Sequence, residues 1–274
     1  MTAELLIDDE GAVRVLRLNR PERRNALNQA LSAALLQALR DADEADGVRC
    51  VVLTGSGPAF CAGADIAEFA QLTPDEAERV AQRAELTMQL PLAIPRLRKP
   101  VIAAINGAAM GGGAGLAIAC DLALAARSAR LGYPEVRHGI VAAIVLPNLV
   151  RQVGRKAAFE LVATGEAIGA ERALALGMVN AVHEDAALLP EAMRLAAQLA
   201  SRSADAMSTT KQVFHEVADL PLARGLEIGR AANRRMRGFL APRAGSAVLA
   251  GEKSRAERRA APDRPTYSSD KGSS

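Results

Sequence analysis

The chain has 274 residues, half of them hydrophobic and 24% charged, with a net charge of +3; that is the balance of an ordinary folded protein. Five Phe, two Tyr and no Trp argue against stacked aromatic platforms for single-stranded nucleic acid. The arginines are interspersed with acids and form no basic block, so no nucleic-acid partner is expected. Cys50, Cys61 and Cys120 lack metal-ligand spacing and fit reduced thiols in a cytoplasmic protein. The N-terminus lacks the basic-then-apolar order of a signal peptide. No membrane partner is expected either.

In chain order, Leu5 to Ile7 and Val13 to Leu18 read as a hairpin around Asp8-Asp9-Glu10-Gly11. Asn28 can cap a helix whose apolar face is Leu27, Leu31, Leu35 and Leu39. Cys50 to Leu53 is a buried strand running into Thr54-Gly55-Ser56-Gly57-Pro58, and Pro74 to Leu90 is helical with acids in its first turns. Val101 to Ile105 and Leu122 to Ala125 are further strands. The alternation of strand, loop and helix up to about residue 185 predicts an α/β architecture. Beyond it, Leu188 to Ala200, Ala204 to Val217, Leu222 to Phe239 and Ser246 to Arg255 all read as helices. Three parts are therefore expected: an α/β core over residues 1–187, a helical oligomerisation region over 188–255, and a disordered tail over 256–274.

Two glycine-bearing loops, Phe60-Cys61-Ala62-Gly63-Ala64-Asp65 and Asn106-Gly107-Ala108-Ala109-Met110-Gly111-Gly112-Gly113-Ala114-Gly115, each follow a strand and lead toward a helix. Small residues there let a ligand approach backbone N–H groups, and a helix N-terminus adds positive partial charge. Two N–H groups aimed at one oxygen form an oxyanion hole. The competing reading of either loop alone is a tight turn or close helix packing. A dinucleotide fingerprint is absent, because Leu116 stands where the third glycine belongs. Neither a phosphate loop nor a Gly-x-Ser-x-Gly elbow occurs.

The ordered set of Asn19-Arg20-Pro21, Asn25-Ala26-Leu27, the two loops, Cys120-Asp121, Pro134-Glu135, Ala170 to Val179 and Lys211 resembles the crotonase, or enoyl-CoA hydratase/isomerase, superfamily over roughly residues 5 to 255. The resemblance implies an α/β fold, a crotonase-like spiral of ββα units with a C-terminal helical trimerisation region, assembled as a homotrimer or a dimer of trimers. It implies an acyl-CoA thioester as substrate and no cofactor beyond the coenzyme A of that substrate. The oxyanion donors fall on Ala64 and Gly112, beside Gly111. Ala62, Asp65 and Ile66 fall along the coenzyme A path, Arg23 or Arg24 at its phosphates, and Lys253 at a contact from the C-terminal helix.

The chain departs from the family's hydratases at one place. They hold a water between two glutamates; Glu135 matches one, and Gly115 stands in place of the other. A single Glu with a raised pKa can still move protons. Hydration of a 2-enoyl-CoA comes first and Δ3-Δ2 isomerisation close behind, and a non-catalytic acyl-CoA-binding scaffold is the alternative of another class. Tyr133 could offer a hydroxyl beside Glu135, although packing in the core is preferred for it. His138 could face the site from a helical turn, and Cys61 is read as packing.

Overall fold

The computed structural model describes residues 3–69, 71 and 74–240. Lys253, the predicted helix from Ser246 to Arg255 and the predicted tail lie outside the described residues.

The chain opens with β1 (Leu5–Glu10) and β2 (Val13–Leu18), an antiparallel hairpin. It turns at Gly11, whose φ of +60° costs a glycine little. Helix α1 (Gln29–Glu44) follows, and its Asn28 cap accepts the Leu31 N–H at 2.7 Å. Leu31, Leu35 and Leu39 on its inner face are fully buried. Next come β3 (Cys50–Gly55), β4 (Ala59–Cys61), the short α2 (Ile66–Phe69) and α3 (Ala77–Arg96). Helix α3 runs past the predicted end at Leu90 through Pro91 and Pro95, although each proline removes one helical donor.

The pattern then repeats. A long strand, a short strand and a helix recur as β5 (Val101–Ile105), β6 (Ala108–Met110) and α4 (Gly112–Ala119). They recur again as β7 (Leu122–Ala126), β8 (Arg130–Gly132) and α5 (Leu146–Thr164). The core closes with β9 (Ile168–Gly169), α6 (Ala170–Ala175) and β10 (Ala181–His183). The long strands and the three-residue β10 form one six-stranded sheet, in the order β1-β2-β3-β5-β7-β10, parallel apart from the hairpin. The short strands form a second sheet, β4-β6-β8-β9. This is the expected spiral of ββα units. The long strands β3 and β5 are buried throughout, which is why they read as unbroken apolar runs.

Three helices complete the described chain: α7 (Leu188–Ala200), α8 (Ala204–Val217) and α9 (Leu222–Arg235), the last continued by a 3₁₀ turn over Met236–Leu240. Helix α7 packs on β3 and β5 through Leu188, Ala192 and Ala196. Helices α8 and α9 leave Phe214, Leu222 and Leu226 exposed. The uncharged stretch from Pro100 to Cys120 has the length of a membrane span. It is divided among β5, β6 and α4. Among the described residues no helix is long and apolar enough to cross a membrane.

Candidate active site

The first loop is built by a buried asparagine. Asn25 has φ +57°, a conformation Asn tolerates better than most residues. Its side chain accepts the Arg20 N–H at 2.9 Å and donates to the carbonyls of Ser56 and Ala59 at 2.9 and 2.8 Å. The segment after it is then stitched to the loop. Ala62 N–H donates to Arg24 O, Leu27 N–H to Gly63 O, and Asp65 N–H to Leu27 O. These bonds make a parallel bridge between Leu27 and Ala64. Successive N–H groups of an extended chain point to opposite sides. With Gly63 O and Asp65 N–H turned toward Leu27, the Ala64 N–H is turned away from it. No backbone or side-chain acceptor among the described residues takes that N–H.

The second loop comes from the strand between β4 and β8. Gly111 N–H donates to Gly132 O at 2.8 Å, and Gly111 caps α4 with φ +53°. Gly112 opens the helix. A Cβ built on Gly112 would lie 4.0 Å from Ala64 N, and one built on Gly63 would lie 3.2 Å from Gly112 N. The two nitrogens therefore line one seam, and at Gly63 it has no room for a side chain, since a Cβ there would also lie 2.7 Å from the Met110 carbonyl oxygen. Ala64 is exposed and Gly112 half-buried, so a ligand can reach both. From Gly113 to Ala119 helix α4 is buried on every side, which explains its uniformly apolar composition.

Glu135 stands on the rim of this seam. It sits in a 3₁₀ turn over Pro134–His138 that follows β8 directly. A Cβ on Gly111 would meet the Glu135 Oε1 at 2.8 Å. Glycine is needed there twice, for its φ and for the approach of the carboxyl group. Glu135 Oε2 is buried without a hydrogen-bond partner among the described residues, as is the Tyr133 hydroxyl. Burial raises the Glu135 pKa above the ordinary carboxylate value, against smaller opposing effects of its own backbone N–H and the charge of His138. Burial and the nearby Glu135 charge also push the Tyr133 phenol up.

The remaining predicted residues divide into two groups. Ala62 lies half-buried between the loops, and Ile66 is exposed at the start of α2. Arg23 and Arg24 are exposed beside the first loop, with the Arg24 carbonyl holding Ala62. Asp65, by contrast, is committed inside the protein. Its carboxylate pairs with Arg20 at 2.9 Å and caps the Ala67 N–H at 3.1 Å. Burial acts to raise its pKa, but the Arg20 hydrogen bond and charge together with the Ala67 and Glu68 amides outweigh it and hold the carboxyl low. Only the Asp65 backbone remains for a ligand.

His138 is exposed, whereas Tyr133 is fully buried in the core. Burial pushes the Cys61 thiol up to about 12, as suits a packing residue. Gly115 is buried against Val145. That contact spans thirty positions and no local motif announces it.

A separate cleft of about 210 Å³ opens between the end of α1 and the start of α8. Its cations are already engaged: Lys99 binds the Ala42 and Ala45 carbonyls, and Arg98 binds Asp43. It carries no convergent chemistry.

Comparison with known proteins agrees with this fold. Residues 8–237 match the enoyl-CoA hydratase/isomerase family. The chain belongs to that family. A Thermus thermophilus protein provisionally named an enoyl-CoA hydratase is 43% identical over 225 residues, covering 82% of this chain and 89% of its own. The crystal structure of an enoyl-CoA hydratase from Bacillus anthracis superposes with a TM-score of 0.85 at 32% identity, covering 92% of this chain and 97% of its own. A monofunctional enoyl-CoA isomerase from Mycobacterium smegmatis also superposes, with a TM-score of 0.70 at 32% identity, covering 82% and 98%. As an enoyl-CoA hydratase/isomerase family enzyme, the chain has relatives named for both reactions.

Proposed function

We propose that this enzyme is a 2-enoyl-CoA hydratase that binds the thioester carbonyl oxygen between the N–H groups of Ala64 and Gly112. The observation that carries the reading is the juxtaposition of two small-residue loops with one half-buried carboxyl whose second oxygen has no partner among the described residues. Two backbone donors stabilise negative charge on that oxygen without having to reorganise. Glu135 beside them supplies the proton traffic.

In hydration, the Glu135 carboxylate takes a proton from water as the water oxygen bonds to C3. The C2–C3 π electrons move toward the thioester, and the enolate charge falls on its oxygen. The proton then passes to C2, so one water is added and Glu135 is regenerated. The raised pKa of Glu135 suits both halves, since a carboxyl that is hard to ionise is a stronger base and holds its proton nearer neutral pH.

Δ3-Δ2 isomerisation is the second reading, and the absence of a side chain at Gly115 supports it. There Glu135 removes a proton from C2 and returns it to C4 through the same enolate. Ala62, Ile66, Gly111 and the Asp65 backbone then flank the coenzyme A moiety, with Arg23 or Arg24 near its phosphates; the contact expected of Lys253 lies outside the described residues. A cytoplasmic homotrimer or dimer of trimers, formed through the exposed apolar residues of α8 and α9, completes the proposal.

Incubation in deuterated water with 2-enoyl-, 3-enoyl- and saturated acyl-CoAs, followed by mass spectrometry, tests it. Hydration adds the mass of water to the 2-enoyl thioester. Isomerisation incorporates deuterium without that mass. A protein that binds these thioesters and does neither is a scaffold, and the proposal falls.

A further inference from the structure

Helix α4 carries Gly112 and Gly115 three residues apart, about 4.5 Å along its axis, a spacing that puts both on one face. The first borders the Ala64 nitrogen. The second meets Val145: a Cβ built on residue 115 would lie 2.4 Å from the Val145 Cγ1 and 3.2 Å from its Cβ. The chain segment that carries Glu135 also carries Val145, ten residues later. That segment runs beside α4, with Glu135 against Gly111 and Val145 against Gly115, one helical turn further in. Val145 cannot easily step aside, because it caps α5 and its carbonyl accepts the Leu149 N–H at 3.0 Å. It is 8% exposed, packed against the α4 face that begins at Gly112.

Resting on the placement of the thioester carbonyl at Ala64 and Gly112, we propose that Val145 is a specificity-determining residue. Its branched side chain fills the notch at Gly115 and faces C3 of the acyl chain. The enzyme therefore takes 2-enoyl thioesters that are unsubstituted at C3 and excludes those carrying a methyl branch there.

The test measures kcat/KM of the full chain for trans-2-butenoyl-CoA and 3-methyl-2-butenoyl-CoA. Val145→Ala should shift the ratio toward the branched thioester by on the order of 10-fold, the usual worth of one methyl's space in an apolar pocket. Gly115→Ala alone should lower turnover of both thioesters, because its Cβ collides with Val145. Combining it with Val145→Ala should restore turnover and return the preference to the linear chain. An unchanged ratio in Val145→Ala, with only thermal stability altered, would make Val145 a packing residue and overturn the proposal, as would a double variant that keeps the ratio of Val145→Ala. Turnover of neither thioester by the wild-type chain would instead overturn the underlying reading of the site.

Discussion

Two half-buried carboxylates in this molecule have opposite surroundings. Asp121, where α8 docks on the large sheet, has both oxygens answered. Lys211 Nζ reaches its Oδ2 at 2.6 Å, His215 Nε2 its Oδ1 at 2.9 Å, and the Val101 N–H its Oδ2 at 2.8 Å. Lys211 also donates to the Lys99 carbonyl, which ties the helix to two strands at once. Glu135, at the junction of the small sheet and α4, has one oxygen with no partner among the described residues and a raised pKa. Folded proteins satisfy nearly all buried polar atoms, so an exception calls for a cause. A satisfied carboxylate holds a structure together, and an unsatisfied one is available to a substrate.

The contrast can be broken most sharply at Glu135. Glu135→Gln should cut turnover by about 10²–10⁴-fold, the usual contribution of a positioned general acid–base, while acyl-CoA binding measured by calorimetry persists. Full activity in that variant would remove Glu135 from the chemistry. Lys211→Ala should do the reverse. It leaves Asp121 half-buried beside a lost partner and should cost about 3–5 kcal/mol in urea unfolding, with kcat per folded molecule retained.

A subtler difference concerns pH. Native Glu135 keeps its proton to higher pH than the unfolded chain, whose Glu titrates near the ordinary 4.5. Between those two values the native state binds more protons, so stability falls as pH rises through that window. Glu135→Gln abolishes this titration. Its stability relative to wild type should therefore climb across the window and level off above it. A difference that stays flat with pH would mean that Glu135 is not held toward its neutral form. The smallest effect belongs to a site far from both carboxylates: Asn28→Ala removes the cap of α1 and should cost about 1 kcal/mol, without altering turnover.

What could be read from the sequence follows the range of the forces involved. The long strands and the helices α1, α7 and α8 announce themselves through local apolar runs and periodicity, and Asn28 through its capping chemistry. The second sheet is invisible in that way. Strands β4, β6, β8 and β9 are only two or three residues long, too short to show alternation, and they exist because neighbours distant in sequence pair with them. The glycines of the site and Glu135 stood out as an ordered motif. The Arg20–Asp65 pair did not, since nothing local says which charges will be buried together. Val145 was silent for the same reason: its meaning lies in a contact with Gly115 that only the folded chain creates.

Cys61 gives the first loop one more property. A thioester is an acylating agent, and a thiolate is the species that exchanges with it. With its thiol pushed up to about 12 by burial, against a slight opposing effect of the Gly63 N–H, Cys61 stays a thiol at neutral pH. The loop can thus hold an activated acyl group three residues from a cysteine without being acylated by it, and thiol-directed reagents should spare the site while the chain stays folded.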